Sequence, residues 1–317
     1  MQILHMCPAN IATGGTEGIH HLVSELCKCG ADAKILYIGS DLTNPQPECY
    51  KKYECEYLTA MPSEYESLVI LPEVWANRIV EPQFQKCQVA INWQGIDVYK
   101  WNNPKSTWNK FLQRDDALHI TMSEYGMRYL RSLGLNPLKI SDCINENFFD
   151  DFTDSAVRSD VVLYNPVRVK MTDFQQSVMA RATTERGIRF APLEGYTQSE
   201  LMNVLRQHKL YIDFGVFSGR ERLPREAVTQ GCCILTSNMG TAKDYLDNSI
   251  LEKYKFDTTN MLNANNAIDT ILYILQNYES CKSDFVEYKR LLKKDLDNYH
   301  KEVKELYNEI LNRNTCA

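Results

Sequence analysis

The chain has 317 residues, enough for two domains of about 150 residues that each bury a core without help from a metal or disulfides. Thirty-five Lys and Arg against 41 Asp and Glu leave a formal net charge of -6, which argues against the broad basic footprint of a general nucleic-acid binder. The 11 cysteines are scattered and odd in number, and several lie inside apolar runs such as Gly231-Cys232-Cys233-Ile234-Leu235; they point to a reducing, cytoplasmic setting, and their spacings match no zinc site.

The opening Ile3-Leu4-His5-Met6 has neither a basic flank nor a long apolar run, so it is expected as a strand and not as a signal peptide. No segment reaches the apolar length of a membrane span. A loop with Gly14-Gly15-Thr16-Glu17 follows, then Ile19, Leu22, Val23 and Leu26 at helical spacing, closed by Gly30. Lys34 to Gly39 is the next strand, giving a βαβ unit. The glycine loop has neither the Gly-x-Gly-x-x-Gly pattern of a dinucleotide site nor the Gly-Lys-Ser/Thr ending of a phosphate loop. Its place after the first strand puts Glu17 at the sheet edge, as a base, a hydroxyl ligand or a helix cap.

Thr43 to Pro62 is polar and contains prolines, and reads as a loop. Residues 67–72, 88–93 and 117–121 read as strands of a parallel sheet, with Ser123 capping a helix that carries Met127 and Leu130. Glu73 and Asp97 fall just past two of these strands, where either can meet a polar acceptor. Trp75, Trp93 and Trp101 cover a sugar face or, more simply, fill core and interface, and His119 inside an apolar strand reads as a buried structural histidine.

Asp150-Asp151-Phe152-Thr153-Asp154 has little capacity to form a core and marks the expected boundary. This gives domains over 1–155 and 156–295, with a helical segment over 296–317 packing on one or both. The second domain restarts with Val161-Val162-Leu163-Tyr164, followed by helical positions near Phe174, Val178 and Met179, a short strand at Ile188 to Phe190 and a helix from Ser199-Glu200. Strands at Leu210 to Phe214 and Cys232 to Thr236 flank a helix expected to start near Pro224 and stop near Gly231.

Phe217-Ser218-Gly219-Arg220-Glu221-Arg222-Leu223-Pro224-Arg225-Glu226-Ala227 is the most informative stretch. Gly219 permits a tight turn, and Pro224 suits a first helical position because it has no N–H to leave unsatisfied. The exposed N–H groups of that helix, beside Arg220, Arg222 and Arg225, suit an anion such as a diphosphate. Glu226, expected in the first turn, either caps backbone N–H groups or accepts hydrogen bonds from ribose hydroxyls. Arg168 and Lys170, after the first strand of this domain, add positive charge at the carboxyl edge or lie on an exposed edge of structure.

These segments together resemble the GT-B-fold glycosyltransferases, especially retaining-type families with a glycine-rich N-terminal loop and a glutamate-bearing donor helix. The N-terminal match runs from Gly14-Gly15-Thr16-Glu17 to Gly30, and the C-terminal match runs through Tyr211 to Phe214, Gly219 to Ala227 and Gly231 to Ser237. The resemblance implies an α/β protein of two Rossmann-like domains facing a central cleft. It implies a nucleoside diphosphate sugar held mainly by the second domain, a saccharide-like acceptor held by the first, and no metal or cofactor. By that analogy Glu226 binds the donor ribose and Arg168 or Lys170 meets the diphosphate; Glu17 and Asp97, from their places past the strands, are the catalytic candidates. One departure stands out: the family's other glutamate precedes Glu226 by eight positions, and Ser218 occupies that place here. A noncatalytic nucleotide- or carbohydrate-binding protein, and a nucleotide-sugar epimerase on a related fold, are the alternatives.

Overall fold

A computed structural model describes residues 1–62, 67–103, 109–152, 157–166 and 172–315. The chain divides into two compact units, Met1–Asp142 with Asp297–Ala317, and Cys143–Leu296. The second unit thus begins ahead of the acidic stretch expected to mark the boundary, and the C-terminal segment belongs with the first unit.

The first unit is built on β1 (Gln2–Pro8), α1 (Gly14–Lys28), β2 (Asp32–Ile38), β3 (Tyr57–Leu58), β4 (Ser67–Pro72), β5 (Gln88–Trp93), α2 (Ile96–Asn102), β6 (Leu118–Thr121), α3 (Glu124–Ser132) and β7 (Leu138–Lys139). Its seven strands are parallel, in the order β3-β2-β1-β4-β5-β6-β7. β4 and β5 are near-continuous apolar runs because both faces of a parallel sheet are covered, and every residue of β4 is buried. Leu4, Met6, Val69, Leu71, Val89, Ile91 and Trp93 form a single core with Ala76, Ile79 and Phe84 from the turns after β4. The segment expected as plain loop holds a 3₁₀ turn over Glu48–Tyr53 and the edge strand β3, whose short apolar content gave no periodic signal. Ser123 caps α3 as expected, accepting from the Gly126 N–H at 2.9 Å.

The second unit contains β8 (Val162–Tyr164), α4 (Asp173–Arg186), β9 (Phe190–Pro192), α5 (Gln198–Arg206), β10 (Leu210–Asp213), α6 (Arg222–Thr229), β11 (Cys233–Ser237), β12 (Lys255–Phe256), α7 (Asn263–Gln276) and α8 (Tyr278–Ser283). Its sheet is also parallel, ordered β12-β11-β10-β8-β9. Leu163, Tyr211, Ile212, Ile234 and Leu235 share one core with Phe174, Val178, Leu205, Ile268 and Ile271. Arg158 is buried beneath this sheet, where its guanidinium donates to the carbonyls of Leu205, His208 and Gln230 at 2.8–3.1 Å. α9 (Val286–Thr315) begins in the second unit and ends in the first, and no helix among the described residues is long and apolar enough to cross a membrane.

Both sheets reverse their strand order once, between β1 and β4 in the first unit and between β8 and β10 in the second. In open α/β sheets the loops leaving the carboxyl ends of the strands at such a reversal are where ligands bind. These two edges are therefore the places in the fold suited to a ligand.

Candidate active site

In the second unit the loop from Gly215 to Glu221 leaves the carboxyl end of β10 and feeds α6. α6 begins at Arg222, two residues earlier than Pro224 suggested; its N-cap is Glu221, and Pro224 is the third helical residue. A proline is tolerated anywhere in the first turn, since none of those N–H groups has an intrahelical partner, which is why it marks the start of a helix only to within a turn. The shift has a consequence for Glu226. It is the fifth residue of α6, and the first turn holds no acidic residue, so N-terminal capping is not its role.

The loop is held from behind by two of the three arginines expected to face a diphosphate. Arg225 is wholly buried, with Nε donating to the Glu221 carbonyl at 3.0 Å and Nη2 donating to the Arg220 carbonyl. Arg220 is nearly as buried; its Nη2 pairs with Asp295 of α9 at 2.6 Å and its Nε donates to the Asp247 carbonyl at 3.2 Å. These guanidinium groups bond inward to carbonyls and a carboxylate, so they hold the shape of the loop. Spacing alone did not reveal this, because a short helix and the loop before it point successive side chains in all directions. Arg222, the first residue of α6, and Glu226 are each half-buried. The expected ligands Arg168 and Lys170 lie outside the described residues.

Around this loop Gly219 is buried and its carbonyl accepts from Thr241 Oγ1. Ser237 Oγ, at the end of β11, donates to the Gly215 carbonyl at 2.5 Å. Asp213 accepts from the Gly215 N–H at 3.1 Å and from the Tyr211 hydroxyl at 3.2 Å. Ser218, at the place of the absent glutamate, donates from both N–H and Oγ to Glu221 Oε1 at 3.2 Å. The nearby Glu221 thus closes the turn through Ser218.

In the first unit the Gly14-Gly15 turn opens α1 at the strand-order reversal. Thr13 and Thr16 form a reciprocal capping box, with the Thr16 N–H on Thr13 Oγ1 at 3.3 Å and the Thr13 N–H on Thr16 Oγ1 at 2.9 Å. The 3₁₀ turn over Glu48–Tyr53 straps this corner: the Tyr50 hydroxyl donates to the Thr13 carbonyl at 2.7 Å and lies 2.9 Å from Thr16 Oγ1. Glu17 Oε1 accepts from Lys52 Nζ and from the Tyr53 hydroxyl, each at 2.8 Å. Asp97 Oδ1 likewise accepts from Lys100 Nζ and the Tyr125 hydroxyl, each at 3.1 Å. Both carboxylates expected as catalytic are tied to a cation and a phenol, an arrangement that suits fastening α1 and α2 to their neighbours.

A third carboxyl stands out at the same edge. Glu73 follows β4 directly and is buried but for 6% of its surface, with Oε2 accepting the Gln94 N–H at 3.3 Å. Burial pushes its pKa up to about 7, opposed by the N–H groups of Glu73, Gln94 and Gly95. Gln94 lies against the glycine turn, where a Cβ on Gly15 would come within 3.0 Å of Gln94 Oε1. Neither Gln94 Nε2 nor the Oδ1 of the fully buried Asn92 has a hydrogen-bond partner, although both atoms are buried. Asn92 Nδ2 donates to His5 Nε2 at 3.0 Å, and burial holds His5 neutral, with its pKa lowered to about 3. His119 is a core histidine as expected, accepting from Trp93 Nε1 at 3.0 Å.

No protein-family model and no curated protein sequence matches this chain. Solved structures do. A glycosyltransferase from Rickettsia africae ESF-5 is similar over 98% of this chain and 97% of that one, with 14% identity and a TM-score of 0.61. Sucrose-phosphate synthase from Thermosynechococcus elongatus is similar over 98% and 99%, with 13% identity and a TM-score of 0.67. Anabaena HepE, solved in complex with UDP, is similar over 98% and 100%, with 12% identity and a TM-score of 0.64. At such identities the likeness speaks for fold, and it runs the length of the chain: two Rossmann-like units, each on a parallel sheet, in the GT-B fold.

Proposed function

We propose that the protein is a glycosyltransferase that moves a sugar from a nucleoside diphosphate sugar to a hydroxyl of a saccharide-like acceptor. On this reading the second unit holds the donor and the first the acceptor. The observation that carries it is the loop from Gly215 to Glu221, at the strand-order reversal of the second unit and rigidly backed by Arg220 and Arg225. A helix N-terminus presented by a fixed loop offers backbone N–H groups to a diphosphate, and Arg222 at the first position of α6 adds charge beside them. Groups set in advance for the leaving diphosphate lower the barrier because they need not reorganise as its charge grows. Arg168 and Lys170 would contribute to the same charge, and Glu226 would accept from the ribose hydroxyls. The scheme calls on no metal.

The test is product analysis. Incubation with a panel of uridine, guanosine and thymidine diphosphate sugars and a set of saccharide acceptors should give acceptor-dependent release of one nucleoside diphosphate and a glycosylated product. Binding of the donor with neither transfer nor epimerisation would place the chain with noncatalytic binding proteins instead.

A further inference from the structure

Among the described residues, Glu73 is a buried carboxyl at the reversal of the first sheet that the donor reading leaves unused. Its position follows from sequence: β4 is apolar from Leu68 to Leu71 and ends in Pro72, so the next side chain is delivered to the carboxyl edge between β1 and β5. There it meets the main chain of the β5–α2 turn through Gln94, while Gln94 packs on the glycine turn that opens α1. Three segments therefore converge on one small polar corner: the Gly14-Gly15 turn, the end of β4 and the end of β5.

Charged and titratable groups described on the elements around this corner have partners of their own. On α1, Glu17 is held by Lys52 and Tyr53; on α2, Asp97 is held by Lys100 and Tyr125; on β1, His5 is neutral and bonded to Asn92. What sets the ionisation of Glu73 is burial, set against three backbone N–H groups. A carboxyl kept in such a place costs stability whenever it ionises, and an uncharged cap for α2 would not. The corner also has an unsatisfied donor in Gln94 Nε2 and an unsatisfied acceptor in Asn92 Oδ1. A hydroxyl, which both donates and accepts, is the chemistry that such a corner lacks.

Resting on the glycosyl-transfer reading, we infer that Glu73 is a catalytic residue of the acceptor subsite, accepting the proton of the acceptor hydroxyl while the Gln94 side chain orients that hydroxyl. The acceptor is a polyhydroxylated molecule, since what the described residues of the corner offer is hydrogen bonds. In the step, a lone pair of the hydroxyl oxygen forms the new bond to the anomeric carbon. The bond from that carbon to the diphosphate oxygen breaks with its electrons, leaving the nucleoside diphosphate, and the hydroxyl proton passes to the Glu73 carboxylate. A base with a pKa near the working pH is in the range where proton transfer is both possible and driven.

The experiment compares wild type and Glu73→Gln, each with the donor and acceptor identified for the wild type. The wild-type rate should rise with pH through an inflection at about pH 7. In Glu73→Gln kcat should fall about a hundredfold or more, in the range for loss of a positioned base, and the inflection should vanish. Affinity for the nucleoside diphosphate should stay within about twofold, because the donor-side residues are untouched. An active wild type whose Glu73→Gln variant keeps its rate and its inflection overturns this inference and leaves the glycosyl-transfer reading standing. A wild type that transfers from no donor overturns both. Should Glu73→Gln not fold, Glu73→Asp carries the test: a retracted carboxylate should keep the inflection and lose rate, and an unchanged rate overturns the inference.

Discussion

Glu226 shows how a shift of two residues in a helix start decides between two roles. In the first turn of α6 it would have had backbone N–H groups to cap; as the fifth helical residue it has none, and the role proposed for it is at the donor ribose. Glu226→Gln should therefore cost less in chemical unfolding than the roughly 1 kcal/mol that the loss of a helix cap costs. Nucleoside diphosphate affinity should fall about tenfold to a hundredfold, the worth of a charged hydrogen bond. Arg225 should behave in the opposite way. Its guanidinium is wholly buried on carbonyls of its own loop, so Arg225→Met should cost about 2–4 kcal/mol in denaturant titration. Any loss of nucleotide affinity would follow from a loosened loop. Glu73 adds a pH signature in stability. Its pKa is raised from 4.5 to about 7 on folding, so its contribution is fully present below about pH 4.5 and is lost as pH rises through about 7. The difference between the two limits is roughly 3 kcal/mol. The unfolding free energy of wild type minus that of Glu73→Gln should fall by an amount of that order across this window, and a flat difference would place Glu73 in water.

At the level of elements, the parts legible in the sequence were those with strong periodicity. Ile19, Leu22, Val23 and Leu26 gave α1, and the apolar runs at 67–72 and 88–93 gave the central strands, because a parallel sheet covered on both faces needs such runs. The strap over Glu48–Tyr53 was not legible. Its six residues bury only Tyr50, and one buried residue in a polar stretch has no period to detect. The same limit applied to the site. Glycine, proline and three arginines marked the loop before α6, but that Arg220 turns inward depends on Asp295 and on the Asp247 carbonyl, partners that lie 75 and 27 residues downstream of it. Glu73 and Asp97 looked alike in sequence, each an acid just past a strand, and only burial and the Lys100 pairing separate them. The strap gives its own prediction. Tyr50→Phe removes the hydroxyl from the Thr13 carbonyl and should cost about 1 kcal/mol in chemical unfolding, the worth of one hydrogen bond. No change would mean the capping box alone holds the glycine turn.

On the scale of the molecule, α9 is the element that both units share. Its Asp295 pairs with Arg220 in the second unit, while His300 meets the buried Glu25 and Glu302 accepts the Ser141 N–H at 2.6 Å in the first. Tyr299, Val303, Leu306 and Ile310 recur at helical spacing and are all buried, so the second half of α9 is part of the first unit's core. Burial of these four side chains contributes on the order of 1.5–3 kcal/mol each, a sum comparable to the whole stability of a domain. Ending the chain after Leu296 should leave the first unit unfolded, as amide exchange would report. The central claim, that the second unit is built for a nucleoside diphosphate, is tested most directly by calorimetric titration of the intact protein with uridine, guanosine and thymidine beside their diphosphates. The account predicts that at least one diphosphate binds about tenfold or more tightly than its nucleoside, through charge-assisted bonds that the nucleoside does not make; equal affinities for every pair would contradict it.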